Sequence, residues 1–127
     1  MFELTDREFD AILQLNAEYR QSFFLNKTVE NQELFIIIQE EGPFLLEDKA
    51  EDDAESATIL PLWCHERLAA FYIEKAGIEN AKVQKVTVSA FNKNWVPMLA
   101  ENNILLGFMP IEGSDFTVDD PKPFSEK

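Results

Sequence analysis

The sequence predicts an α+β fold: a single domain with one mixed or mostly antiparallel sheet of about five strands and about three helices packed on it. Three observations carry this. Apolar residues recur at helical spacing in three separate stretches. Short apolar or alternating runs, several rich in β-branched residues, lie between and beside them. The elements come in the order helix, two strands, strand, helix, strand, helix, strand, with no internal repeat and no Gly/Ser linker to divide them. A chain of 127 residues that is 46% hydrophobic, with eleven phenylalanines, closes one core without disulfides or metal. The domain is therefore read as residues 1–127.

The first helix is expected over about 6–24. Thr5, Asp6, Arg7 and Glu8 form a capping box. Phe9, Ile12, Leu13, Tyr19 and Phe23 then recur at helical spacing, interrupted by Asn16. "LFIIIQEEGPFLL" reads as two strands around a Gly42-Pro43 turn, where glycine supplies backbone freedom and proline ends pairing. Three consecutive isoleucines point to a strand buried on both faces.

Residues 47–57 break this order. From Glu40 to Glu55 there are eight acids and one lysine, a net −7, and nothing apolar larger than alanine lies within 47–57. That composition predicts a mobile solvated loop. It lacks the central glycine of a calcium loop.

"ATILPLW" is the next strand, with Pro61 at an edge or ending its ladder early. A helix over about 65–76 presents Leu68, Phe71, Tyr72 and Ala76 on one face, and Gly77 stands where a C-terminal cap belongs. "KVQKVTV" predicts a strand with one solvated face. Ser89 is read as the cap of a third helix carrying Phe91, Trp95, Met98 and Leu99. Pro97 conflicts with that helix, since its ring meets the carbonyl of Lys93 and it donates no hydrogen bond. Either the helix kinks there, or it stops near Lys93 and Asn94 caps a second piece. "NILLGFMP" is a strand entered through a left-handed turn at Asn102-Asn103, "DFTV" is a candidate last strand, and residues 119–127 are expected to be loosely held.

Composition removes several functions. Eleven basic residues against 24 acidic ones leave −13 and a pI near 4.3. Nucleic-acid binding needs a positive stripe to neutralise phosphates, and the basic residues here are scattered. An anionic membrane repels the same surface. The longest purely aliphatic and aromatic run, "LFIII", is far short of the roughly 20 residues that span a bilayer. One cysteine makes no internal disulfide, and the first residues carry acids where a signal peptide needs basic and apolar ones. The expectation is a cytoplasmic protein that meets neither nucleic acid nor membrane and carries no cofactor.

The residues that look chemical cluster in "LPLWCHERLAAFYIEKAG", residues 60–77. Cys64 and His65 suggest a thiol–imidazole pair, but neighbours on a strand face opposite ways and on a helix diverge by about 100°. One cysteine and one histidine are also too few for ordinary zinc sites. No catalytic or metal-ligating residue is assigned. Glu66 suits the positive end of a helix dipole. Arg67 either pairs with an acid or binds an anion near Trp63. Trp63 and Trp95 either fill the core or line a groove between sheet and helix, with His65 and Arg67 at its mouth. That groove of Trp63, His65, Arg67 and Trp95 is the candidate ligand site.

The landmarks also carry a resemblance. "LPLW" closes a strand, Arg67 sits just inside the next helix, and "FNKNWVPMLAENNILLGF" spaces tryptophan, proline and leucine as W-x-P-x-L before another strand. With the hairpin "LFIIIQEEGPFLL" before them, these resemble bacterial proteins of unknown function grouped as DUF2750, over roughly residues 30–110. Cys64 and Asn103 depart from the pattern, which often has a proline or small residue and a glycine there. The resemblance implies a small cytoplasmic bacterial domain without an assigned activity, and it transfers no catalytic residue. Taken together, the sequence points to a non-enzymatic module for a protein partner or a homodimer. The alternative is a small-molecule binder or enzyme using the tryptophan groove.

Overall fold

The computed structural model describes residues 4–48, 57–111 and 116–126. The α+β class holds, but the strands divide into two small sheets, not one. Helix α1 (Asp6–Leu13) opens on the predicted capping box: the Glu8 amide donates to Thr5 Oγ1 at 3.1 Å, and the Thr5 hydroxyl donates to the Glu8 carboxylate at 3.0 Å. The expected single helix over 6–24 then breaks. Asn16 Oδ1 accepts the Tyr19 amide at 2.9 Å and starts a new helix, α2 (Ala17–Asn31). Asparagine competes for backbone donors in this way and favours helix starts over helix interiors. The new start rotates the buried face. Phe9 and Ile12 are buried on α1 and Arg20, Phe24 and Thr28 on α2, while Tyr19 lies in solvent.

Gln32 takes a left-handed conformation and releases the chain into β1 (Glu33–Gln39). The hairpin that follows turns at Glu40 and Glu41, because β1 pairs Ile38 with Pro43 and Gln39 with Gly42. Gly42 and Pro43 form the short strand β2 and are not the turn itself. Gly42 has φ 134°, which a side chain would disfavour. The chain then leaves for the other sheet as β3 (Leu46–Asp48), which pairs antiparallel with β4 (Ala57–Leu62). The predicted loop 47–57 thus gives its ends to strands; its middle, 49–56, lies outside the described residues.

Helix α3 (Glu66–Ala76) closes on Gly77 at φ 67°, in the left-handed cap expected there. Leu68 and Ala69 are buried while Ala76 is exposed. Strand β5 (Ala81–Thr87) pairs antiparallel with β1 along its length and has the predicted solvated face. Thr87, not Ser89, caps the next helix: its hydroxyl accepts the Ala90 amide at 3.1 Å.

Pro97 is accommodated in a third way. α4 (Val88–Ala90), a π turn (Phe91–Trp95) and α5 (Val96–Glu101) run on continuously. The Val96 amide reaches back five residues to the Phe91 carbonyl. The wider turn places Pro97 in the first turn of α5, where no donor is needed. Asn103, at φ 58°, then leads into β6 (Ile104–Phe108), parallel to β4, and β7 (Thr117–Asp119) pairs antiparallel on its far side.

The two sheets have the orders β2-β1-β5 and β3-β4-β6-β7. Pro61 explains the separation. β3 occupies the free side of β4 only over 57–59, and Pro61 has no N–H for any further ladder. Pairing resumes at Trp63, which exchanges backbone bonds with Phe35 of β1 at 2.8 and 2.9 Å. That bridge joins the sheets over a shared core including Phe24, Leu34, Ile36, Leu60, Trp63, Phe91 and Leu106.

Candidate functional site

In the β1–β5 ladder, Phe35 lies opposite Lys85 and Ile37 opposite Val83. Side chains alternate faces, so Glu33, Phe35, Val83 and Lys85 share one. α3 packs against both strands. Beside its first turn a cleft of about 450 Å³ is left open. Phe35 and Val83 supply apolar wall, and Asn31, Glu33, His65, Glu66 and Lys85 supply polar groups. Lys85 Nζ lies 3.8 Å from Glu33, a partly exposed pair. Glu33 and Glu66 outweigh Lys85, so the cleft carries net negative charge.

His65 is oriented by the backbone. It is the N-cap of α3, and its Nδ1 accepts the Arg67 amide at 3.0 Å. An accepting Nδ1 places the proton of the neutral ring on Nε2. The ring lies 6.4 Å from that of Phe35. Cys64 also borders the cleft, yet its thiol is buried, and burial pushes its pKa up to about 12. Its Sγ lies 3.6 Å from Met109 Sδ. At neutral pH it is a protonated thiol, the unreactive form.

The four predicted site residues are dispersed. His65 borders the cleft. Trp63 is a core residue, 1% exposed, whose indole N–H donates to the Pro110 carbonyl at 3.2 Å. Trp95 is half-buried and stacks on Phe91 with rings 6.4 Å apart and 10° from parallel. Arg67 turns to α1: it meets Asp6 Oδ1 at 2.6 Å, donates to the Leu4 carbonyl at 3.3 Å and lies over the Phe9 ring at 4.4 Å. Glu33, Phe35, Val83 and Lys85 escape a sequence reading because only the strand register brings them to one face.

Arg20 is a second residue the sequence hides. It is buried on α2, where its Nε donates to the Met109 carbonyl at 3.1 Å and its Nη1 to the Leu15 carbonyl at 2.7 Å. Met109 has φ 50°, a conformation rare for a side-chain-bearing residue. Arg20 and Trp63 together hold the carbonyls of this Met109-Pro110 turn. Among the described residues no group of three or more His, Cys, Asp or Glu could hold a metal ion. Among the same residues, no helix is long and apolar enough to cross a membrane.

The family model for the proteins of unknown function DUF2750 matches residues 21–127, nearly the whole chain. The chain belongs to the DUF2750 family. The match takes in most of α2, both sheets, the cleft and the segment after β7. It leaves α1 outside, and with it Asp6, the partner of Arg67. No curated protein and no solved structure matches the chain.

Proposed function

We propose that this DUF2750 protein is a non-catalytic interaction module whose cleft beside α3 receives a cationic side chain from a basic partner. The observation that carries this is the pairing of two carboxylates, Glu33 and Glu66, with the Phe35 ring at one cleft. Carboxylates hold an ammonium or guanidinium by charge-assisted hydrogen bonds, and an aromatic wall adds cation–π attraction. The whole-chain charge of −13 steers such a partner in. At the other end of the same ladder, Glu40, Glu41 and Glu79 border a second, acidic concavity. The buried thiol argues against nucleophilic chemistry at the cleft. The setting proposed is a reducing bacterial cytoplasm, with neither nucleic acid nor membrane as partner. A second copy of the chain is the competing occupant.

Affinity capture at low salt, with the wild type and Glu33→Lys/Glu66→Lys as baits, tests this. Basic proteins captured by the wild type and lost on charge reversal support it. Background capture by both baits, from a protein that elutes as a monomer, overturns it. A second reading, a small-molecule site in the same cleft, is favoured by the volume of about 450 Å³, within the roughly 300–1,000 Å³ of such pockets. Ligand binding that survives the charge reversal but fails in Val83→Trp would select it.

A further inference from the structure

A different site emerges from the segment after β7. Residues 120–126 form no helix or strand, and the sequence alone suggests a loose end. Yet Phe124 is gripped. Its amide donates to Asn92 Oδ1 at 2.8 Å, and Asn92 Nδ2 donates back to the Phe124 carbonyl at 2.8 Å. One side-chain amide thus reads both backbone groups of a single residue. Asn92 Nδ2 also lies 3.2 Å from Glu126 Oε2, and Gln32 Nε2 donates to the Ser125 carbonyl at 3.0 Å. The Phe124 ring is half-buried on two fully buried rings, at 5.4 Å from Phe91 and 5.8 Å from Phe24.

We propose that Asn92, Gln32, Phe24 and Phe91 form a peptide-binding socket, filled here by the chain's own Phe124. Its ligand class is an extended, proline-flanked segment bearing one aromatic side chain, presented by a second copy of this chain. Four features point to an exchangeable ligand and not to an ordinary packed segment. The polar contacts to Phe124 and Ser125 reach main-chain groups, so they accept many sequences, and identity is read by the ring and by the Glu126 carboxylate that Asn92 also meets. No strand pairing ties the segment down. Pro121 and Pro123 fix its backbone in advance, which lowers the ordering cost of docking, as in other proline-rich ligands. Asn92 stands on the π turn that precedes Pro97, and such turns recur at functional sites. The second copy carries the same segment, so mutual exchange needs no new surface.

The test uses the full chain. Phe124→Ala removes the ring that fills the socket and leaves Asn92 in place. A synthetic DPKPFSE peptide is titrated into wild type, Phe124→Ala and Asn92→Ala/Phe124→Ala, with folding followed by thermal melting. The proposal expects saturable binding to Phe124→Ala and loss of binding in the double variant. Binding to wild type should be weaker on the order of tenfold or more, because the tethered segment competes at high effective concentration. A folded Phe124→Ala that ignores the peptide overturns the proposal. So does equal binding to the double variant. A Phe124→Ala that fails to fold overturns it too, since the ring is then a fixed part of the core.

Discussion

Cys64 and His65 show how far a residue's neighbours decide its chemistry. Adjacent in sequence, they part in space: the thiol packs against Met109, and the imidazole caps α3. The thiol has a measurable consequence. Its pKa rises from 9.0 in the unfolded chain to about 12 in the fold. Above pH 9 the unfolded chain releases this proton while the folded chain keeps it, so ionisation favours unfolding. The contribution to stability is whole below pH 9 and is lost as pH climbs towards 12, at up to about 1.4 kcal/mol per pH unit. Urea unfolding at pH 8 and pH 10.5 should show a steeper loss for wild type than for Cys64→Ala. Equal losses would show that Cys64 is open to solvent. Arg20 is the opposite case. Nothing in "AEYRQS" marks it for burial. Its partners include a carbonyl from Leu15 nearby and one from Met109, which comes 89 residues later.

Among the elements, those with local signals were legible. The Thr5 capping box, the Gly77 cap and the solvated face of β5 each depend on residues within one turn or one strand, and each is present. The division at Asn16 was visible as an interruption, but whether a polar residue pauses a stripe or caps a new helix depends on what the next face can bury. The Pro97 conflict was legible and its resolution was not, because a π turn is stabilised by the packing of Phe91 and Trp95 as much as by local preference. Strand β6 gives a sharp test. A Cβ on Gly107 would stand 2.7 Å from Ile59 Cγ2 and 2.9 Å from the Phe116 ring. Gly107→Ala should therefore destabilise by about 1–3 kcal/mol through overpacking. Gly77→Ala meets open space and should lose only about 1 kcal/mol, the cost of its left-handed backbone. Chemical denaturation of the two variants side by side checks the order.

On the scale of the molecule, charge is the dominant long-range term. Thirteen uncompensated negative charges repel one another, and the ion pairs among the described residues, such as Arg67 with Asp6 and Lys85 with Glu33, are partly or largely exposed. Exposed pairs contribute at most about 1 kcal/mol each, so repulsion outweighs them at low salt. Raising ionic strength past about 0.1 M, where the screening length falls to about 10 Å, should raise the melting temperature. A melting temperature that falls with added sodium chloride would mean that the ion pairs matter more than the repulsion.

Class, element order, acidic character and family membership follow from residues read in line, because helical spacing, caps, turn glycines and composition act over a few positions. The register that assembles the cleft, the burial of Arg20 and the grip of Asn92 on Phe124 were decided by tertiary structure alone. Each joins segments from tens of residues to nearly ninety apart, and no local preference encodes which distant partner a strand edge, a guanidinium or an amide will find.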